Sequence, residues 1–426
     1  MSTPKRSALI SKFCIRGSIS LGVLALTLSL TGCSSNPNTY KTRNSTTPPN
    51  SAQTSVRKKI GIGKFVSGPN MHATRYGHKM LLLEDGNILL VGGHAAPQMP
   101  EIYLTKSDTF VLANGPAEGH GSLDKNNHLL VNGYRIANTN NASDLAEFFI
   151  DPKKLAFKTG MLVLMPGFKV LAAGTGSNYY YPAVSATARA QIYDIRTGRV
   201  EFVKDMMEPR SRASIQLLND GRVLITGGSH DRTRLNSSEI FDPKTKTFQP
   251  GPQMTESRSE HTSVKLNDGR VLIIGGYTAR PIRRKTDPPI QGLTSFFPNF
   301  ANSAEIFDPR TNKFTKTLPM AEKRVGASAI LLRDGRVLVT DAGEWGGSQV
   351  SEVFEPKSNS FVYGGSLVDT RANHAAIALP DGDVLITGGA GRGAVRSDDR
   401  PSPNKRTSEK FSYVLNKKGS AKDGRL

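Results

Sequence analysis

LNDGRVLITGG, running from Leu218 to Gly228, returns as LNDGRVLIIGG from Leu266 to Gly276, a period of 48 residues. A period of that length is too long for a heptad and falls in the range of blade-sized modules, so self-similarity has to be settled before any local motif. Aligned on this stretch, further units end at Gly93 (LLLEDGNILLVGG), Gly133 (KNNHLLVNG), Gly174 (PGFKVLAAG), Ala342 (DGRVLVTDA) and Gly389 (DGDVLITGG). Each places a turn dipeptide before an apolar, β-branched run, the written form of a hairpin feeding a buried strand. The closing Gly pair suits close backbone approach or positive φ, where a side chain would not fit.

A second signature follows each run: EIYLTKSDTF, SSEIFDPKTKTF, SAEIFDPRTNKF and VSEVFEPKSNSF. In these, Tyr103/Phe110, Phe241/Phe248, Phe307/Phe314 and Phe354/Phe361 stand seven apart across a polar turn. Two more strands joined by a short loop are therefore expected, with Pro243, Pro309 and Pro356 ending the first of them. Four strands in each of seven units predict an all-β fold, a seven-bladed β-propeller. Units 2 and 3 are degraded, and unit 7 lacks a trailing aromatic strand after Phe411. FVSGPNM at Phe65 to Met71 matches FQPGPQM at Phe248 to Met254, so the N-terminal strand is expected to close the last blade and leave no open edge.

The order Asp-Gly, Gly-Gly, aromatic-Asp-Pro and trailing aromatic resembles the kelch motif of bacterial kelch and galactose-oxidase-like propellers, over about Gly63 to Val414. The resembled copper oxidases use a tyrosine cross-linked to a cysteine. The two cysteines here are Cys14 and Cys33, both ahead of the repeats, so that chemistry is not expected. The resemblance implies a ligand- or protein-binding module. A sugar-directed enzyme, similar to the sialic-acid mutarotases, is the alternative.

Ahead of the repeats, Lys5, Arg6, Lys12 and Arg16 precede the short apolar run SISLGVLALTLSL and then LTGCSS. This pattern reads as a secretory signal, and its LTGC ending resembles a lipobox with Cys33 as the acylated residue. The organisation read is a lipoprotein signal peptide at 1–32, lipidated Cys33 and a polar tether to 59, the propeller at 60–415, and a basic flexible tail at 416–426. Membrane attachment through Cys33 implies the cell envelope, and Ser34 after it implies the outer membrane. The formal charge of +20 falls to about +16 once the signal's four basic residues are gone. Export argues against nucleic acid, leaving protein or anionic glycan partners.

MHATRYGH, MMEPRSRA, MTESRSEH, MAEKRVGA and LVDTRANH place Arg75, Arg210, Arg258, Arg324 and Arg371 at one offset in five units. Equivalent positions on a propeller form a ring, and two roles fit such a ring. Guanidiniums could brace neighbouring backbone through their five donors, or seat an anion at the channel mouth. His78, His261 and His374 follow three residues after their arginines. Propeller geometry holds such positions beyond the roughly 2 Å metal bond, so neither metal nor cofactor is expected. Unit 5 carries a long insertion with Arg280, Arg283, Arg284, Lys285, Phe296, Phe297 and Phe300; unit 3 carries Tyr179, Tyr180 and Tyr181; unit 6 carries the single tryptophan, Trp345. The ligand-binding set expected on the loop face is the five arginines with Tyr180 and Trp345.

Overall fold

The second strand of each well-matched unit is an unbroken apolar run: Ile88–Val91, Val223–Thr226, Val271–Ile274, Val337–Thr340 and Val384–Thr387 are buried throughout. Burial on both faces is what a strand requires when its sheet is sandwiched between two others. The computed structural model describes residues 63–94, 99–137, 145–150, 155, 161–174, 186–230, 233–278, 299–340, 348–390 and 405–413.

Each unit folds into its own antiparallel sheet, and units 1, 3, 4, 5, 6 and 7 have four strands. In unit 4 the order from the inside outward is Ser214–Leu217, Val223–Thr226, Ser238–Asp242 and Thr247–Pro250. The paired aromatics are register partners across the outer two strands: Tyr103 opposite Phe110, Phe241 opposite Phe248, Phe307 opposite Phe314 and Phe354 opposite Phe361. Their ring centroids lie 4.9–5.2 Å apart.

Unit 7 closes as its sequence implies. Lys64–Ser67 pairs with Ser408–Ser412 and sets Phe65 opposite Phe411, with rings 4.8 Å apart. The chain thus borrows its first described strand to complete its last sheet. Inner strands of units 3 to 7 lie each against the next, and unit 7 against unit 1. The apolar clusters sit between sheets, as where Leu272 and Ile306 of unit 5 share a cluster with Val337 and Phe354 of unit 6. This is a β-propeller.

Unit 2 departs from the pattern, with three strands among the described residues, Gly121–Leu123, Leu129–Val131 and Tyr134–Arg135. Its Asn132-Gly133 stands where other units have the Gly pair and shares their positive φ (53° and 82°), but here the chain turns straight back, Val131 facing Tyr134. Asn-Gly with two left-handed residues is a tight hairpin turn. The loop that other units place there is replaced by two residues.

Candidate functional site

The five arginines do not ring an open mouth. Arg75, Arg210, Arg258, Arg324 and Arg371 are 0–1% exposed, and each meets a carboxylate of its own blade: Glu101, Glu239, Glu305, Glu352 and Glu409. Arg258 shows the full arrangement. Its Nε and Nη2 donate to Glu305 Oε1 at 3.2 and 3.0 Å, its Nη1 to the carbonyls of Gly275 and Ser303, and its Nη2 also to Ser303 Oγ. The other Glu305 oxygen accepts the Thr255 N–H at 2.7 Å. The same backbone contact recurs as His72 to Glu101, Met207 to Glu239, Ala321 to Glu352 and Val368 to Glu409. Each pair therefore ties the crossing segment to the third strand of the blade it leads into.

Of the two roles expected of Arg75, Arg210, Arg258, Arg324 and Arg371, this arrangement supplies the bracing one. A guanidinium with its fork committed to a buried carboxylate and backbone carbonyls has no donors to offer, and like charges do not accumulate because each is neutralised in place. The glutamates carry a sequence signal of their own, standing two residues before the aromatic of the third strand. Unit 3, which lacks the arginine, has buried Gln191 at that position.

The Gly pair belongs to the same joint. Gly228, Gly276 and Gly389 donate their N–H to the carbonyls of Arg258, Arg324 and Arg75, each in the next blade. A Cβ on Gly227, Gly275 or Gly388 would stand 2.3–2.4 Å from those same oxygens, and these glycines have φ of 58–62°. Side chain to one blade and carbonyl to its neighbour, Arg75, Arg258 and Arg324 each link two sheets.

The three histidines form a second set of inter-blade ties. Their Nε2 atoms meet the threonine that ends the second strand of the preceding blade: His78 with Thr387 (2.7 Å), His261 with Thr226 (2.8 Å) and His374 with Thr340 (2.9 Å). Burial, reinforced by the neighbouring Arg75, Arg258 and Arg371, pushes each imidazole down to about 3, so all three are neutral at physiological pH. Where the strand ends in an apolar residue, the histidine position holds alanine: Ala173 with Ala213, and Ile274 with Ala327. The ring positions thus match their neighbours seam by seam.

Inside the ring, a cavity of about 500 Å³ is walled by the inner strands of units 1, 4, 5, 6 and 7 and includes Lys79, Ser214, Thr262, Ser263 and Ser328. On the loop face, units 4 and 5 bear added ribbons. Ser229–His230 pairs with Thr233–Arg234, while Arg258–Ser259, Tyr277–Thr278 and Asn299–Phe300 form a three-stranded sheet. There Arg234 lies 5.5 Å over the Tyr277 ring, Tyr277 packs at a tilt against Phe300 with centroids 5.3 Å apart, and Arg212 pairs with Glu260 at 2.7 Å. Sequence reading named Phe300 but missed Arg234 and Tyr277, because no repeat offset marks them. Tyr179, Tyr180, Tyr181, Trp345, Arg280, Arg283, Arg284, Lys285, Phe296 and Phe297 lie outside the described residues, as do Cys33 with the signal and tether, and the tail at 416–426.

The family described as Kelch motif matches residues 218–255, one repeat length that begins at the opening stretch. The fold is a β-propeller, and one of its repeats matches the kelch motif. No match was found among curated proteins. Among solved structures it is similar to a novel fungal alcohol oxidase of the AA5 family in complex with copper, at 15% identity and a TM-score of 0.40, over 83% of this chain and 76% of that one. Kelch repeats commonly mediate protein interactions.

Proposed function

We propose that this protein is a recognition module that binds a protein partner through its loop face, held at the cell envelope by a lipid on Cys33, with outer-membrane placement following from Ser34. The observation that carries the reading is the division of labour in the blades. The repeated arginines, glutamates and histidines are occupied in joining sheets, while the ribbons added to units 4 and 5 present Arg234, Tyr277 and Phe300. Tyrosine and arginine are the residues on which binding energy concentrates at interfaces. An anionic glycan on that partner, or in its place, suits the basic balance of the chain.

The test compares the full chain with a Tyr277→Ala/Arg234→Ala double variant in crosslinking on intact cells, with melting temperature measured in parallel. Loss of one discrete crosslinked species at unchanged melting temperature supports the loop-face reading; an unaltered crosslinking pattern refutes it. Cys33→Ala is expected to release the protein from membranes, and retention after a salt wash refutes the anchor.

A further inference from the structure

Along the axis, inner strands of neighbouring blades meet side chain to side chain, and at four seams those meetings are mostly apolar, Thr262 and Ser328 being polar exceptions at their upper ends. Met161 and Val163 of unit 3 share a cluster with Ile215 and Leu217 of unit 4. Val264 of unit 5 does so with Ala329 and Leu331 of unit 6, Ile330 of unit 6 with Ala376 and Ala378 of unit 7, and Ala375 and Ile377 of unit 7 with Met80 and Leu82 of unit 1.

The seam between units 4 and 5 breaks this rule from top to bottom. Its equivalent positions are Ser214 and Gln216 facing Ser263 and Lys265. The two serine hydroxyls hydrogen-bond at 2.5 Å, and the Arg212–Glu260 pair closes the seam above them. Arg212 and Glu260 hold left-handed backbone (φ 56° and 53°), and the Glu260 N–H donates to the Arg212 carbonyl. Below, Gln216 is 6% exposed and Lys265 half-buried, and among the described residues neither has a hydrogen-bond or ion-pair partner. Burial pulls the Lys265 ammonium below the ordinary lysine value, and no carboxylate offsets it.

A half-buried ammonium and a largely buried amide side chain without partners replace the leucine and valine that serve this seam elsewhere: Lys265 stands where other units have Leu82, Leu217, Leu331 and Ala378, and Gln216 where they have Val163 and Val264. Such a pair fits a ligand that supplies acceptors. We propose that the seam between units 4 and 5 is a binding site for the carboxylate of a small hydroxylated organic acid, held by the Lys265 ammonium and the Gln216 amide, with Ser214 and Ser263 facing its hydroxyls. Ammonium and amide N–H offer donors to the two carboxylate oxygens, and the cavity of about 500 Å³ lined by Ser214 and Ser263, two residues along their strands from Gln216 and Lys265, has room for a single sugar-sized molecule. The site lies on the axial wall and is separate from the loop-face surface.

The test is thermal unfolding of the full chain with sodium glucuronate against sodium chloride at matched ionic strength, with inorganic phosphate as a third arm. The wild type is expected to show a saturable rise in melting temperature with glucuronate. Lys265→Leu is expected to melt higher than wild type in plain buffer and to lose that rise; Gln216→Val, which also restores the residue type of other seams, gives the same readout if Lys265→Leu does not accumulate. A glucuronate response retained in these variants, or absent in the wild type, overturns the site. A response to phosphate but not to glucuronate overturns the carboxylate assignment.

Discussion

Mild acid should unfold this propeller through three residues. His78, His261 and His374 have an ordinary value of 6.5 and are held at about 3 in the fold. Because the folded state depresses them, the stability they contribute is complete above about pH 6.5 and is lost as pH falls toward 3, where the unfolded chain takes up protons that the folded chain refuses. A pH of about 5 lies some 1.5 units below the unfolded value of each histidine, a loss of roughly 2 kcal/mol per residue at about 1.4 kcal/mol per unit. Three together remove about 6 kcal/mol from a total that for natural domains lies near 5–15 kcal/mol. Carboxylates do not confuse this window. Asp108, Asp220 and Asp308 are lowered from 3.8, so their contribution is lost only below that pH.

Urea unfolding followed by circular dichroism at pH values from about 7.5 to 4.5 measures the slope. The control is in the chain itself: Thr226→Ile with His261→Ala reproduces the Ile274–Ala327 seam and should remove about a third of the pH dependence while leaving neutral-pH stability within about 1–2 kcal/mol. A double variant with the full wild-type slope, or a wild type equally stable at both ends of the range, would refute the reasoning.

Arg258→Gln should cost about 3–5 kcal/mol by stranding buried Glu305, whereas Arg258→Gln with Glu305→Gln should recover much of the loss, as Gln191 implies for unit 3. A double-mutant cycle with no coupling between the two would remove the bracing role. Phe65→Ala should destabilise the whole domain by about 3–5 kcal/mol, because the residue seals the last blade against Phe411. Unchanged denaturant midpoints would show that the closure carries no stability.

Much of this fold was legible because a propeller repeats its chemistry at fixed offsets. The Asp-Gly turn, the buried run, the aromatic partners seven apart and the match of FVSGPNM to FQPGPQM each depend on neighbours near in sequence or on copies of themselves. In unit 2 the sequence pattern aligns Asn132-Gly133 with the Gly pairs, whose positive φ it shares; the immediate pairing of Val131 with Tyr134 makes it a hairpin turn.

The site was legible only in part. Repetition located Arg75, Arg210, Arg258, Arg324 and Arg371 but could not tell bracing from binding, since both require arginine at one offset. The partner decides, and Glu305 lies 47 residues from Arg258. His78 and Thr387 are 309 residues apart and join only because the ring closes.

The sequence by itself determined the repeat, the strands, their aromatic register and the borrowing of the first strand by the last blade, because each rests on local pattern or on self-similarity. Tertiary structure alone decided which charges are neutralised and which wall of the channel is polar. Those properties arise from which blades become neighbours, and the polar seam of Ser214, Gln216, Ser263 and Lys265 exists only once two strands distant in the chain stand side by side.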